Sequence, residues 1–166
     1  RFNESTVRNM GRNATGVRAI TLDNDGFDHD VGMIAIENPE EETVMIVSEY
    51  GYGKRSEIED YRKTNRGGKG VKTINITEKT GKLISIQSVT DDNDLMIINK
   101  SGITLRLDVS TIRVMGRATQ GVRLINLEKR GDQIASICKV NSEPEVTEET
   151  EATNGENVDT VENGNN

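Results

Sequence analysis

Three stretches of this 166-residue chain lie over one another without a gap: 12–22, 66–76 and 117–127. They share the pattern R-x-x-x-G-V-[RK]-x-I-[TN]-[LI] and are spaced by 54 and 51 residues. The likeness extends downstream. Residues 83–89 match 134–140, residues 45–51 match 96–102, and 33–36 hold the same place in the first copy after a longer loop. A chain that repeats every fifty residues or so builds one supersecondary unit several times, and each unit buries its apolar face against the next. Few folds satisfy that condition.

The runs within each copy are short, β-branched and separated by turn signals such as Thr80-Gly81, Asp91-Asp92-Asn93 and Ser101-Gly102. In the second copy they predict four strands, near 71–76, 83–89, 94–99 and 103–107. The two prolines, Pro39 and Pro144, break no strand interior. No long stretch has helical period. Four strands per fifty residues make a blade, so the fold class is all-β, built of propeller-like blades over 1–140. The copies run 1–54, 55–105 and 106–140, and the third lacks counterparts of 94–99 and 103–107. Blades need neighbours on both sides. About three blades, incomplete at both ends, are therefore expected as a slice of a larger ring. The first blade expects residues upstream of Arg1. With no initiator Met, the chain reads as the C-terminal piece of something longer.

Charge divides the chain in two. Lys plus Arg number 21 and Asp plus Glu 28, a net of −7. Eight of the acids (Glu143, Glu145, Glu148, Glu149, Glu151, Glu156, Asp159 and Glu162) fall in 141–166, which has no Lys or Arg. Its few apolar residues cannot offset the entropy of ordering, so a disordered acidic tail is expected there. Without it the body carries +1. No apolar run approaches the length of a membrane span, and one cysteine, Cys138, excludes a disulfide scaffold. Cys138 lies in an apolar run and reads as a small buried residue. No secretory signal is visible, and a cytoplasmic setting is the default expectation.

Several tempting motifs carry no chemistry. Asp23-Asn24-Asp25-Gly26 would place Gly32 where a calcium loop needs its bidentate Glu. His29, the single histidine, has no second ligand near it in sequence. Gly67-Gly68-Lys69-Gly70 is followed by Val71 and fails the phosphate-loop pattern. The tyrosines Tyr50, Tyr52 and Tyr61 read as blade packing rather than as base-stacking platforms.

The chemistry lies in the basic residues. Four columns recur in register: Arg1/Arg55/Arg106, Arg8/Arg62/Arg113, Arg12/Arg66/Arg117 and Arg18/Lys72/Arg123. They hold 12 of the 21 basic residues, and Lys54, Lys63 and Lys69 add to the second copy. One cation per column per blade makes stripes around a rim, and a curved basic rim suits the backbone of bent duplex DNA. The recurring Gly16, Gly70 and Gly121 allow backbone N–H groups to approach a phosphate. The competing reading is that these arginines brace the turns between blades. The candidate DNA contacts are Arg8, Arg12, Arg18, Lys54, Arg55, Arg62, Arg66, Lys69, Lys72, Arg106, Arg113, Arg117 and Arg123.

These residues, with Tyr50-Gly51-Tyr52-Gly53-Lys54-Arg55, Arg66-Gly67-Gly68-Lys69-Gly70-Val71 and Gly116-Arg117-Ala118-Thr119-Gln120-Gly121-Val122, resemble the C-terminal domain of the A subunit of bacterial DNA gyrase. The likeness covers 1–140. It implies a β-pinwheel whose blades exchange strands and whose rim wraps duplex DNA for a type IIA topoisomerase that supercoils using ATP. It also implies that the tail regulates wrapping. The implied partners are the B subunit, in an A2B2 assembly, together with the rest of the A subunit. The catalytic tyrosine, ATP and Mg belong elsewhere in that parent, so neither a catalytic residue nor a cofactor is expected here. The gyrase box reads Q-[RK]-R-G-G-K-G. Here 66–70 match its last five positions, while Thr64 and Asn65 replace the first two. A full box is expected upstream. The alternatives are the corresponding domain of topoisomerase IV, which lacks a full box, and a protein-interaction propeller.

Overall fold

The computed structural model describes residues 1–23, 27–128 and 131–142. The tail expected from 141 lies outside them from 143 onward, as do 24–26 of the acidic loop. The described residues form seven strands: β1 Thr43–Ser48, β2 Tyr52–Glu57, β3 Leu83–Val89, β4 Asn93–Asn99, β5 Thr104–Asp108, β6 Val122–Arg123 and β7 Ile134–Asn141. They form two antiparallel sheets, ordered β3-β1-β2-β6 and β5-β4-β7.

The repeat governs the pairing. Met45 faces Arg55 and Gln87 in the first sheet, and Met96 faces Arg106 and Cys138 in the second. The register slips at the same point of both, between Val47 and Ser48 and between Ile98 and Asn99. Each sheet is a hairpin extended by a strand from the following copy, and the first sheet takes β6 from the copy after that. The blades therefore exchange strands.

β1 reads Thr-Val-Met-Ile-Val-Ser and is buried along its length, as a β-rich strand covered on both faces should be. Alternation sends Met45 and Val47 into the core between the sheets, with Leu95, Ile97, Val109, Ile112 and Ile134. Val44 and Ile46 face a second core with Ile58 and Ile74. Three 3-10 turns among the described residues, Glu4–Thr6, Ile58–Asp60 and Val109–Thr111, recur at the spacing of the repeat, the first and third capped by the side chains of Asn3 and Asp108.

Two expectations need correction. Residues 71–76 form no strand. Only their third-copy counterpart pairs, as β6, with Tyr52 and Gly53. In the preceding repeat the same register requires a partner before position 1, so among the described residues 71–76 has no strand edge to join. Cys138 is exposed rather than buried. Its neighbour Ile137 points into the core, and successive strand residues point to opposite faces.

Gly121 marks a close approach of its backbone to that of β2. Its φ is +87°, and an added Cβ would lie 2.6 Å from the carbonyl oxygen of Gly53. Gly16 has a like φ, +90°, but open space around it. Gly121→Ala is expected to cost more than about 2 kcal/mol, and Gly16→Ala only the backbone strain of about 1–2 kcal/mol. Thermal unfolding of the two variants checks this; equal losses would remove the steric account.

Candidate nucleic-acid interface

The basic columns divide by burial. The Arg1/Arg55/Arg106 column clips one copy to the next, with Arg55 on β2 and Arg106 on β5. Arg1 Nη1 donates to the carbonyls of Ile58 at 2.8 Å and Tyr61 at 3.3 Å and pairs with Glu59. One repeat on, Arg55 Nε donates to the carbonyl of Ile112, the counterpart of Tyr61, and Nη1 to Asp91. Backbone ties match: Thr64 N–H donates to Arg1 O at 2.9 Å and Met115 N–H to Arg55 O at 2.8 Å. Arg55 is 7% exposed. Arg106 instead pairs with Asp94 at 2.5 Å on β4, its side chain 44% exposed. Hydrogen bonds from Ser142 and then Arg106 hold the Asp94 carboxyl below its usual range.

The Arg12/Arg66/Arg117 column contains a second set of braces. Arg66 Nε donates to Thr6 O at 3.3 Å and Nη1 to Arg18 O at 2.6 Å. Arg117 repeats this on Asp60 O, at 3.1 Å, and Lys72 O. Each guanidinium thus holds the backbone beneath a basic side chain of the preceding copy. Arg12 is exposed.

Lys54 lies inside. It has no exposed surface, and Nζ donates to the carbonyls of Gly116, at 2.7 Å, and Arg117. Desolvation, helped by the Arg117 charge and opposed by Asp60, lowers its pKa to about 8. In the unfolded chain the ammonium loses its proton near 10.5. Between these values the unfolded state binds more protons, so stability rises with pH; below about 8 the cost of the buried charge is constant. Relative to Lys54→Met, the native chain should gain thermal stability from pH 8 to 10. A parallel profile for the two would refute the buried ammonium.

The remaining cations face solvent. Arg8, Arg62 and Arg113 are exposed, each two residues past its 3-10 turn. Buried Ile58 and Val109 anchor the second and third turns. Arg18, Lys72 and Arg123 are exposed, each two residues past a glycine of φ +90°, +81° or +87°. Lys69 is exposed as well. Arg123 is oriented by Tyr52 Oη at 2.8 Å and Glu128 at 2.6 Å, and its guanidinium sits 5.4 Å from the Tyr52 ring centre. Those contacts, Tyr52 first, raise its pKa further. Tyr52 is buried, and Tyr61 Oη meets Thr73 Oγ1 at 2.6 Å, so both tyrosines pack within blades.

Of the thirteen sequence-derived candidates, Lys54 and Arg55 are thus placed inside, Arg66 and Arg117 are half-buried and occupied by carbonyls, and Arg106 pairs with Asp94. Arg8, Arg12, Arg18, Arg62, Lys69, Lys72, Arg113 and Arg123 are on the surface. Sequence reasoning misses Glu128 and the Tyr52 stack that aim Arg123, since neither recurs with the repeat.

A family model described as DNA gyrase C-terminal domain, beta-propeller, matches residues 1–36, 42–90 and 93–140. The chain is 46% identical over 157 residues to the DNA gyrase A subunit of Staphylococcus aureus, covering 92% of this chain and 17% of the relative. It is likewise 46% identical over 143 residues to that of Staphylococcus epidermidis, covering 86% and 16%. The chain therefore spans about a sixth of the length of these relatives. Among solved structures it resembles a DNA gyrase A C-terminal domain, with a TM-score of 0.67 at 27% identity over 83% of this chain and 45% of that one. It also resembles the C-terminal domain of DNA topoisomerase IV, with a TM-score of 0.76 at 22% identity over 85% and 43%.

Proposed function

Since this chain belongs to the DNA gyrase C-terminal domain, beta-propeller family, we propose that it binds and wraps duplex DNA for the A subunit of a type IIA topoisomerase. The activity of the parent is ATP-dependent negative supercoiling, with catalysis and nucleotide binding outside this chain. Its partners are duplex DNA and, within a cytoplasmic A2B2 assembly, the B subunit together with the rest of the A subunit. The gyrase reading is preferred to topoisomerase IV because the 46% identity is to gyrase subunits, while the 22% likeness to topoisomerase IV speaks for the fold alone.

One observation carries the proposal. Two columns, Arg8/Arg62/Arg113 and Arg18/Lys72/Arg123, are exposed in every copy. The backbone beneath Arg18 and Lys72 is held by the half-buried arginines Arg66 and Arg117. A cation repeated once per blade on a fixed backbone matches a phosphate path, and it reads no base edge. Lys54, Arg55, Arg66 and Arg117 serve the rim by fixing one blade against the next.

The test replaces Arg8, Arg62 and Arg113 together with Gln. Thermal stability should hold, because none of the three is buried. Each lost phosphate contact should flatten the salt dependence of DNA binding by about 0.9 in log–log slope. End-labelled duplex DNA should also show less bending by energy transfer. Unchanged affinity and bending would reject the rim and favour a protein-interaction propeller.

A further inference from the structure

The two exposed columns are not equally available to a phosphate. Among the described residues, Arg8, Arg62, Arg113, Arg18 and Lys72 form no ion pair, whereas Arg123 pairs with Glu128 at 2.6 Å. Lys72 Nζ meets a neutral amide oxygen, that of Asn75, at 2.8 Å. The place of Glu128 in the repeat is held by Thr77 in the second copy and by Asp23 in the first. Asp23 is one methylene shorter, and among the described residues it makes no ion pair with Arg18.

The pairing occupies nearly the whole guanidinium. An arginine has five N–H donors and grips an oxyanion best with two of them in parallel. Nε and Nη2 of Arg123 donate to Tyr52 Oη at 3.2 and 2.8 Å. Nη2 and Nη1 donate to the two Glu128 oxygens at 2.6 and 3.3 Å. The one donor left, on Nη1, cannot make a two-pronged contact. Tyr52 cannot yield its place, since it is buried on β2. Glu128 can. Its backbone is anchored by the neighbouring core residue Leu127, but its side chain is 64% exposed and free to swing into solvent.

We propose that Glu128 is a built-in competitor for phosphate, so that Arg123 joins the DNA track only by exchanging this carboxylate for a phosphodiester. The inference rests on the DNA-binding reading above and deepens it. Glu128 takes the edge of the guanidinium that a phosphate would need, and a carboxylate left beside a bound phosphate repels it. An ion pair this exposed is weak, so the exchange is reversible and its cost is small. The third blade therefore grips DNA less tightly than the second, where Lys72 has no acid to displace.

The test follows the anisotropy of a labelled DNA duplex titrated with the full 166-residue chain across a salt series. Glu128→Gln should tighten binding about three- to fivefold at about 50 mM salt. It should also steepen the log–log slope by up to about 0.9, the value of one phosphate contact. Arg123→Gln should weaken binding less than Lys72→Gln does. In the Arg123→Gln background, Glu128→Gln should lose most of its effect. The thermal unfolding of Glu128→Gln should stay close to that of the native chain, since the side chain is exposed. The proposal is overturned if Glu128→Gln leaves affinity and slope unchanged. It is equally overturned if the gain persists in full beside Arg123→Gln, which would mark a general effect of net charge. Failure of the native chain to bind DNA at all would instead reject the reading on which the proposal rests, and the proposal with it.

Discussion

Affinity for duplex DNA is expected to fall about a thousandfold between 50 and 200 mM salt if six phosphates are neutralised. Eight of the candidate residues offer surface cations for those contacts: Arg8, Arg12, Arg18, Arg62, Lys69, Lys72, Arg113 and Arg123. Six contacts correspond to a log–log slope of about −5. The sequence of the duplex should matter little, because contacts to phosphate carry no sequence information. The acidic stretch 143–166 enters the same balance. It carries eight carboxylates and no Lys or Arg, and its tether keeps it at high effective concentration near the rim. Deleting 143–166 should raise affinity most at low salt, where the Debye length is longest. Fluorescence anisotropy of a labelled duplex across a salt series, with and without those residues, measures both effects. A flat salt dependence would reject phosphate binding. Unchanged affinity after deletion would reject competition by the acidic stretch alone.

The sequence shows a great deal of this fold because the repeat is written in residues that pair locally. Residues 83–89 and 94–99 emerge as β3 and β4 within a residue, since β-branched alternation and the Asp91-Asp92-Asn93 turn are local signals. The segment 71–76 misleads for the opposite reason. Its strand character depends on a partner a full repeat away in sequence, as β6 depends on β2, and pattern alone cannot say whether that edge is present. The arginine columns are legible as columns but not as roles. Arg62 and Arg66 are four residues apart and equally regular, yet Arg62 projects to solvent and Arg66 reaches the carbonyls of Thr6 and Arg18. Spacing records that a position repeats; only the neighbouring copy decides whether the side chain meets carbonyl or water. The brace reading holds for Arg55, Arg66 and Arg117; the phosphate reading is proposed for the exposed positions.

The separation of those roles predicts unequal costs within a single column. Arg55→Ala should destabilise the fold by about 3 kcal/mol. The substitution strips the carbonyl of Ile112, a residue only 3% exposed, of its donor, and removes a buried stem where the two sheets meet. The Asp91 pair adds less, because Asp91 is 73% exposed and solvent screens it. At the size of this fold that loss lowers Tm by about 10 °C. Arg106→Ala, at the same place in the repeat, removes a half-exposed side chain, and the Asp94 carboxylate keeps its Ser142 donor, so it should cost less than Arg55→Ala. Arg55→Lys should not restore stability, since one ammonium cannot serve Ile112 O and Asp91 in the two directions a guanidinium spans. Differential scanning calorimetry of the three variants settles the matter. Equal losses for Arg55→Ala and Arg106→Ala would mean that the column acts by its charge alone, and would return Arg55 to the set of DNA contacts.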